Sequence, residues 1–267
     1  MSRMFDRFDK NELAVGTILL APNREIVEVA GYGGLDFVTL DMMVSPLDWD
    51  RAAQLVLAAE RFNVTPWLRL SSYPWGESKV DPSLPAQVLR GLSIGAECVL
   101  ASVNTAKQVE AMLHPLSNPH RRLYVRHDAE PRTAAQRAYD EAQSPQWVVP
   151  IIESGPALDN LDQLLAVDGL KMIYLGMGDL TKALGKSDEH DPEVRAAVSD
   201  VVSRAKKQDV RIAVNTLGYG PDTDFADQVA GGVKALGDAG VAAALTPRPT
   251  LALQRYYEKL LRGVRSE

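Results

Sequence analysis

Short, nearly uninterrupted apolar runs alternate with segments of helical spacing along this chain, and that alternation restricts the fold more than any other feature. The runs are TILLA (17–21), FVTLD (37–41), WLRL (67–70), CVLAS (98–102), LYVRH (123–127), WVVPIIE (147–153), MIYLG (172–176), RIAVN (211–215) and VAAALT (241–246). Most are apolar at consecutive positions, as strands covered on both faces must be. Between them, Asp50 to Phe62 sets Ala53, Leu57 and Arg61 on one helical line, and Ala157 to Val167 and Glu193 to Lys207 read as further helices. Asp191-Pro192-Glu193 starts the last of these with a capping Asp, a Pro at the first helical position and an acid in the first turn. Strands alternating with helices make a mainly parallel sheet.

The chain has 267 residues, which suits one α/β barrel of about 250 residues. A doubly wound open sheet is the competing architecture. It usually carries a Gly-rich turn after its first strand, and here Pro22-Asn23 follows TILLA. Nine runs are one too many for an eight-stranded barrel. LYVRH is taken as an excursion, because His114 to Ser144 is rich in Pro, Arg and polar residues. The expected fold is a (β/α)₈ TIM barrel, forming a single domain over residues 1–267.

The formal net charge of −6 argues against broad nucleic-acid binding, which needs a clustered basic surface. A few arginines and a metal ion can still make one cleft attractive to an anion. Cys98 is the only cysteine and lies in an apolar run, so it reads as a buried small side chain. No stretch has the length of a signal-peptide core or a membrane span. A cytoplasmic protein is expected, with no membrane partner.

In a parallel barrel the active site forms at the C-terminal ends of the strands. Those ends carry Asp41 after FVTL, Arg69 in WLRL, Glu153 after WVVPII, Asp179 after MIYLGMG, and Asn215 closing RIAVN. Burying a carboxylate without a partner is expensive, so acids ending apolar strands point to a function. Each acid taken singly could instead cap the following helix.

The segments IIESGPALDNLDQLLAVDGL and IYLGMGDLTKALG resemble the HpcH/HpaI family of class II pyruvate aldolases, from about Gly16 to the C-terminal helix. The resemblance implies a barrel of the phosphoenolpyruvate/pyruvate type and a metal-dependent carbon–carbon lyase working through a pyruvate enolate. It implies that Glu153 and Asp179 bind Mg²⁺, Mn²⁺ or Co²⁺. Arg69 would contact the keto or enolate oxygen, with Gly178 and Asn215 beside the 2-oxo acid substrate. Such an ion uses one or two protein carboxylates and leaves its other positions to water and substrate. No Schiff base is then needed. Lys171 precedes its strand, and Lys79 and Lys182 read as solvated loop lysines.

The chain departs from the family at three places: Ile151 stands where the family tends to have a Gln two positions before the metal Glu, Gly176-Met177-Gly178-Asp179 stands for its G-P-A-D, and its D-x-E-H is altered. The usual D-x-E-H reads Asp41-Met42-Met43-Val44 here, so Val44 stands where the family has its acid–base histidine. Asp41 acting alone, His127 on LYVRH, or Tyr73 after Arg69 could replace it. The citrate lyase β-subunit, an acyl-CoA lyase that also lacks this histidine, is the second resemblance. A non-catalytic barrel that binds metal or 2-oxo acid is the third reading. Weaker features are Gly218-Tyr219-Gly220 and His120-Arg121-Arg122, each a possible anion site or a plain loop.

Both termini carry apolar residues at helical spacing: Met1, Met4, Phe5 and Phe8 at one end, and Leu253, Tyr257, Leu260 and Leu261 at the other, with Leu251 and Tyr256 outside that stripe. Residues 1–13 and helix 248–263 are therefore expected to contact other copies in a homo-oligomer, from a dimer to the hexamer that the resemblance implies.

Overall fold

The computed structural model describes residues 3–71, 78–117, 146–216 and 225–265. Eight parallel strands close into a barrel: β1 (Ala14–Leu19), β2 (Phe37–Asp41), β3 (Thr65–Arg69), β4 (Cys98–Ser102), β5 (Trp147–Ile152), β6 (Met172–Leu175), β7 (Arg211–Asn215) and β8 (Ala243–Thr246). Each strand pairs with the next, and β8 returns to β1 through Gly16↔Leu245 and its neighbours. The expected barrel is the observed one. LYVRH lies outside the described residues.

Alternation along each strand explains the two cores. Phe37, Trp67, Cys98, Leu100, Val149, Ile151, Met172 and Leu245 point inward and fill the barrel. Val38, Leu40, Leu68, Val99, Val148, Ile152, Ile173 and Val214 point outward under the helices. Successive strand residues face opposite sides, so a run apolar throughout serves both cores at once. Phe37 and Trp67 stack at 4.3 Å between centroids. Cys98 is buried there, and desolvation pushes its thiol pKa well up, which fits the inert reading.

β1 begins earlier than the sequence suggests. Gly16 pairs with Phe37, and a Cβ on Gly16 would fall 2.5 Å from the Phe37 ring, so this strand needs a glycine at its centre. Asn23 then caps α2 (Arg24–Tyr32), its side chain accepting from Glu25 N at 2.7 Å.

Helix α3 (Trp49–Arg61) buries Ala52, Leu55, Val56 and Ala59. The line through Ala53, Leu57 and Arg61 faces the other way, with Leu57 45% exposed. The β3–β4 and β4–β5 connections contribute α4 (Leu84–Ser93) and α5 (Ala106–Leu113). Ala157 to Val167 is not one helix but two, α6 (Gly155–Asp159) and α7 (Leu161–Leu165). Asn160 breaks the run, its amide donating to Pro156 O and to Asn104 O. After β6 come α8 (Met177–Ala183) and α9 (Pro192–Lys207), the latter capped by Asp191 as its sequence indicates.

The N-terminal segment corrects an expectation. Helix α1 (Arg3–Asp9) turns Met4, Phe5 and Phe8 into the N-terminal mouth of its own barrel, where they are buried. Phe5 packs edge-on to Trp147 at 4.9 Å, and Phe8 stacks on the same ring. Trp67 Nε1 donates to Met4 Sδ at 3.2 Å, and Arg3 donates to Leu35 O at 2.8 Å. An open barrel end leaves aromatic faces wet, so the apolar side of α1 is used within the chain.

At the other terminus, α10 (Phe225–Asp238) leads to β8 and then α11 (Pro249–Arg265). On α11, Leu253, Tyr256, Tyr257, Leu260, Leu261 and Val264 are all exposed. No helix among the described residues is long and apolar enough to cross a membrane.

Candidate active site

The last inward position of several strands is polar. Asp41 ends β2, Arg69 ends β3, Ser102 ends β4 and Asn215 ends β7, while Glu153 follows β5 by one residue. Parity carries each of them inward, because Phe37, Trp67, Leu100, Ile151 and Ala213, each an even number of positions before one of them, belong to the core inside the barrel. The chain therefore builds a polar rim on an apolar plug.

Asp41 and Arg69 sit opposite each other in the β2–β3 register. Arg69 Nη1 donates to Asp41 Oδ2 at 3.1 Å. The other oxygen, Oδ1, accepts from Met43 N at 2.7 Å and Val44 N at 2.9 Å. Both oxygens of this fully buried carboxylate are thus engaged, and the geometry gives Asp41 a holding role. The turn it holds brings Met43 Sδ to 2.9 Å from Arg69 Nη2. Arg69 Nε is buried with no hydrogen-bond partner among the described residues. A guanidinium edge in that state is ready for an oxygen acceptor.

Glu153 is 5% exposed. Its carboxylate accepts from the hydroxyl of Ser102, and no ion pair to it occurs among the described residues. Burial raises its pKa, against the Ser102 hydrogen bond and the field of Arg69, while Asp179 and Asp41 push it the same way as burial. Asp179 lies in the first turn of α8, half-exposed, with Lys182 Nζ at 2.9 Å. Lys182 is therefore a helix residue paired with this acid rather than a loop lysine.

Gly176 joins the two carboxylates structurally. A Cβ there would lie 2.4 Å from Glu153 Oε2, so the turn leading to Asp179 can pass Glu153 only as glycine. Gly178 is under no such demand, since its Cβ would meet nothing nearer than Glu189 at 3.8 Å. Asn215 Oδ1 faces the Tyr174 hydroxyl and Met177 N, each at 3.4 Å. It thereby ties β7 to the start of α8. Tyr174 is buried at the same level, and desolvation keeps its hydroxyl protonated far above the usual phenol range.

No group of three or more His, Cys, Asp or Glu forms a metal cage among the described residues. The donor set is two carboxylates, one of them buried and without an ion pair among the described residues, which matches a hard ion that keeps water or substrate in its remaining positions. Sequence reasoning did not single out Ser102, Gly176 or Tyr174. Ser102 obeys the rule that found the acids, a polar residue ending an apolar run, but a small hydroxyl is also ordinary packing. Tyr73, His127, His120-Arg121-Arg122 and Gly218-Tyr219-Gly220 lie outside the described residues.

The family model for HpcH/HpaI aldolase/citrate lyase matches residues 16–246. A hydroxypyruvate/pyruvate aldolase of Rhizorhabdus wittichii is 29% identical over 185 residues, covering 67% of this chain and 69% of that one. Among solved structures, an HpcH/HpaI aldolase from Desulfitobacterium hafniense DCB-2 superposes with a TM-score of 0.79 at 23% identity, covering 100% of this chain and 98% of the other. A citrate lyase β-subunit from M. tuberculosis, complexed with oxaloacetate and magnesium, gives 0.52 at 12% identity, covering 89% and 92%.

Proposed function

The chain belongs to the HpcH/HpaI aldolase/citrate lyase family and is an aldolase-type carbon–carbon lyase, and from that premise we propose that it acts on a 2-oxo acid of the pyruvate kind at Arg69, with a divalent ion held by Glu153 and Asp179. The observation that carries the reading is that, among the described residues, a buried carboxylate with no ion pair and a buried guanidinium Nε with no acceptor lie at the same end of the barrel. Mg²⁺, Mn²⁺ and Co²⁺ fit a set of two oxygen ligands. When bound, such an ion polarises the 2-oxo group and stabilises negative charge as a C–C bond breaks.

The protein's own part is positional and electrostatic. Asp41 fixes the guanidinium plane through Nη1, so Arg69 Nε can meet the substrate oxygen on which negative charge develops. A preorganised donor of this kind acts without reorganising during the reaction. Asn215 and Gly178 flank the same turn as Asp179 and would orient the substrate carboxylate through the start of α8. Asp41 accepts from Met43 N and Val44 N through Oδ1 and from Arg69 through Oδ2, and the lone pair left on Oδ2 is the one through which it would take part in proton transfer.

The lyase assignment sets aside a non-catalytic barrel. Reading the chain as an acyl-CoA lyase has less support, because its likeness to the citrate lyase β-subunit is the weaker one. We further infer a cytoplasmic homo-oligomer in which the exposed apolar side of α11 meets a neighbouring copy. The direct test is pyruvate release from candidate 2-oxo-4-hydroxy acids, and exchange of the pyruvate methyl protons in D₂O, each with and without chelator. Activity that is indifferent to chelator and to Glu153→Gln would overturn the metal reading.

A further inference from the structure

Glu153 is gripped from both sides, and the grip distinguishes its two oxygens. Ser102 pairs with Ile151 in the β4–β5 register, which sets Glu153 two positions further along the same inward face. The Ser102 hydroxyl donates to Oε1. Oε2 lies over the Cα of Gly176, at the start of the turn that carries Asp179. The strand end itself is pinned from the same neighbour, because Ser154 Oγ donates to Asn104 Oδ1, and Asn104 O accepts from Asn160. Ser102 is 5% exposed and Asn104 1%, so neither contact competes with bulk water.

From this geometry, and resting on the reading of Glu153 as a metal ligand, we propose that Ser102 is a positioning residue that commits Glu153 to ligation through one oxygen and so biases the site toward a small octahedral ion over calcium. Magnesium takes single oxygens in strict octahedral geometry, whereas calcium takes more oxygens and readily accepts a carboxylate through both. With Oε1 held by Ser102, two-oxygen ligation would put the metal on the same oxygen that accepts from Ser102 and so compete with that hydrogen bond. Residues that hold a metal ligand in this manner typically change affinity by about 10–100-fold when removed.

The test is calorimetric titration of the full chain with MgCl₂ and with CaCl₂. Ser102→Ala is expected to weaken magnesium about tenfold or more and calcium by less, shrinking the ratio of the two affinities. Ser102→Cys keeps the shape with a weak donor and should follow the alanine variant, which guards against an effect of lost volume. A general loosening of the strand end would lower both affinities together. That outcome, or unchanged affinities in both variants, overturns the role of Ser102. A wild-type chain that binds neither ion, or a Glu153→Gln variant that binds as wild type does, overturns instead the metal reading on which it rests.

Discussion

At the scale of single residues, Glu153 and Arg69 illustrate how one environment serves two purposes. Burial raises the Glu153 pKa above its ordinary 4.5, so the folded chain holds that proton more tightly than the unfolded one. The contribution to stability is therefore present below 4.5 and is lost as pH rises through the raised folded value. In chelator, Glu153→Gln should therefore melt above wild type, with the gap opening from below 4.5 toward neutrality. The same variant should lose the rise in Tm that added Mg²⁺ gives wild type, and its metal affinity should fall by more than about a hundredfold, since ligand-supporting residues alone are worth 10–100-fold. Thermal melts across pH, with and without metal, check both halves; a Tm gap of opposite sign would show that the charge is not desolvated. Arg69 divides its nitrogens among Asp41, Met43 and the open edge at Nε. Lysine offers one point charge for all three. Arg69→Lys should lower kcat/KM by about 10–100-fold, the loss of one charge-assisted hydrogen bond of 1.5–3 kcal/mol, and steady-state kinetics on any accepted 2-oxo acid would reveal it.

At the scale of elements, the barrel separates stability from chemistry along its axis. The C-terminal ends of the strands carry Asp41, Arg69, Glu153 and Asn215, while α1 closes the opposite end with Met4, Phe5 and Phe8. A cavity of about 350 Å³ also lies at that opposite end, lined by Phe8, Lys206 and Arg211 among others. Its Arg211 stacks on Phe8 and Trp147, which reads as packing of the closed mouth. Phe5→Ala should cost about 3 kcal/mol, as large-to-small changes in a packed core do. For a chain of this size that is a fall in Tm of roughly 6–12 °C, while kcat of the folded protein stays within about twofold. Differential scanning calorimetry and kinetics on the same sample separate the two effects. A large loss of kcat would mean that α1 communicates with the far end of the barrel.

At the scale of the whole molecule, α11 carries an apolar side that the described residues of its own chain leave exposed. Tyr257 is 56% exposed and Val264 71%, and an apolar stripe of this length is unusual on a monomer. The expected assembly is a dimer or hexamer through this helix, which removal of residues 248–267 should dissociate. Light scattering after size exclusion measures it, and a strict monomer at micromolar concentration would overturn the assignment.

The fold was legible because each strand serves two cores, which writes a continuous apolar run into the sequence, and because the helices between them leave no room for an antiparallel reading. The acids at strand ends were legible for a related reason: a charge following such a run has no packing use. Small residues carry no such mark. Ser102 and Gly176 act through a hydroxyl and a missing Cβ, and only the approach of Glu153 reveals them. Register escaped in the same way, since β1 begins three residues before the run that announced it. The termini show the limit most plainly. Both carry apolar residues at helical spacing, yet α1 is folded into its own barrel and α11 is left exposed. An amphipathic pattern records that a helix has a face to bury; which surface covers it depends on where the chain enters and leaves the barrel, and only the tertiary structure decides that.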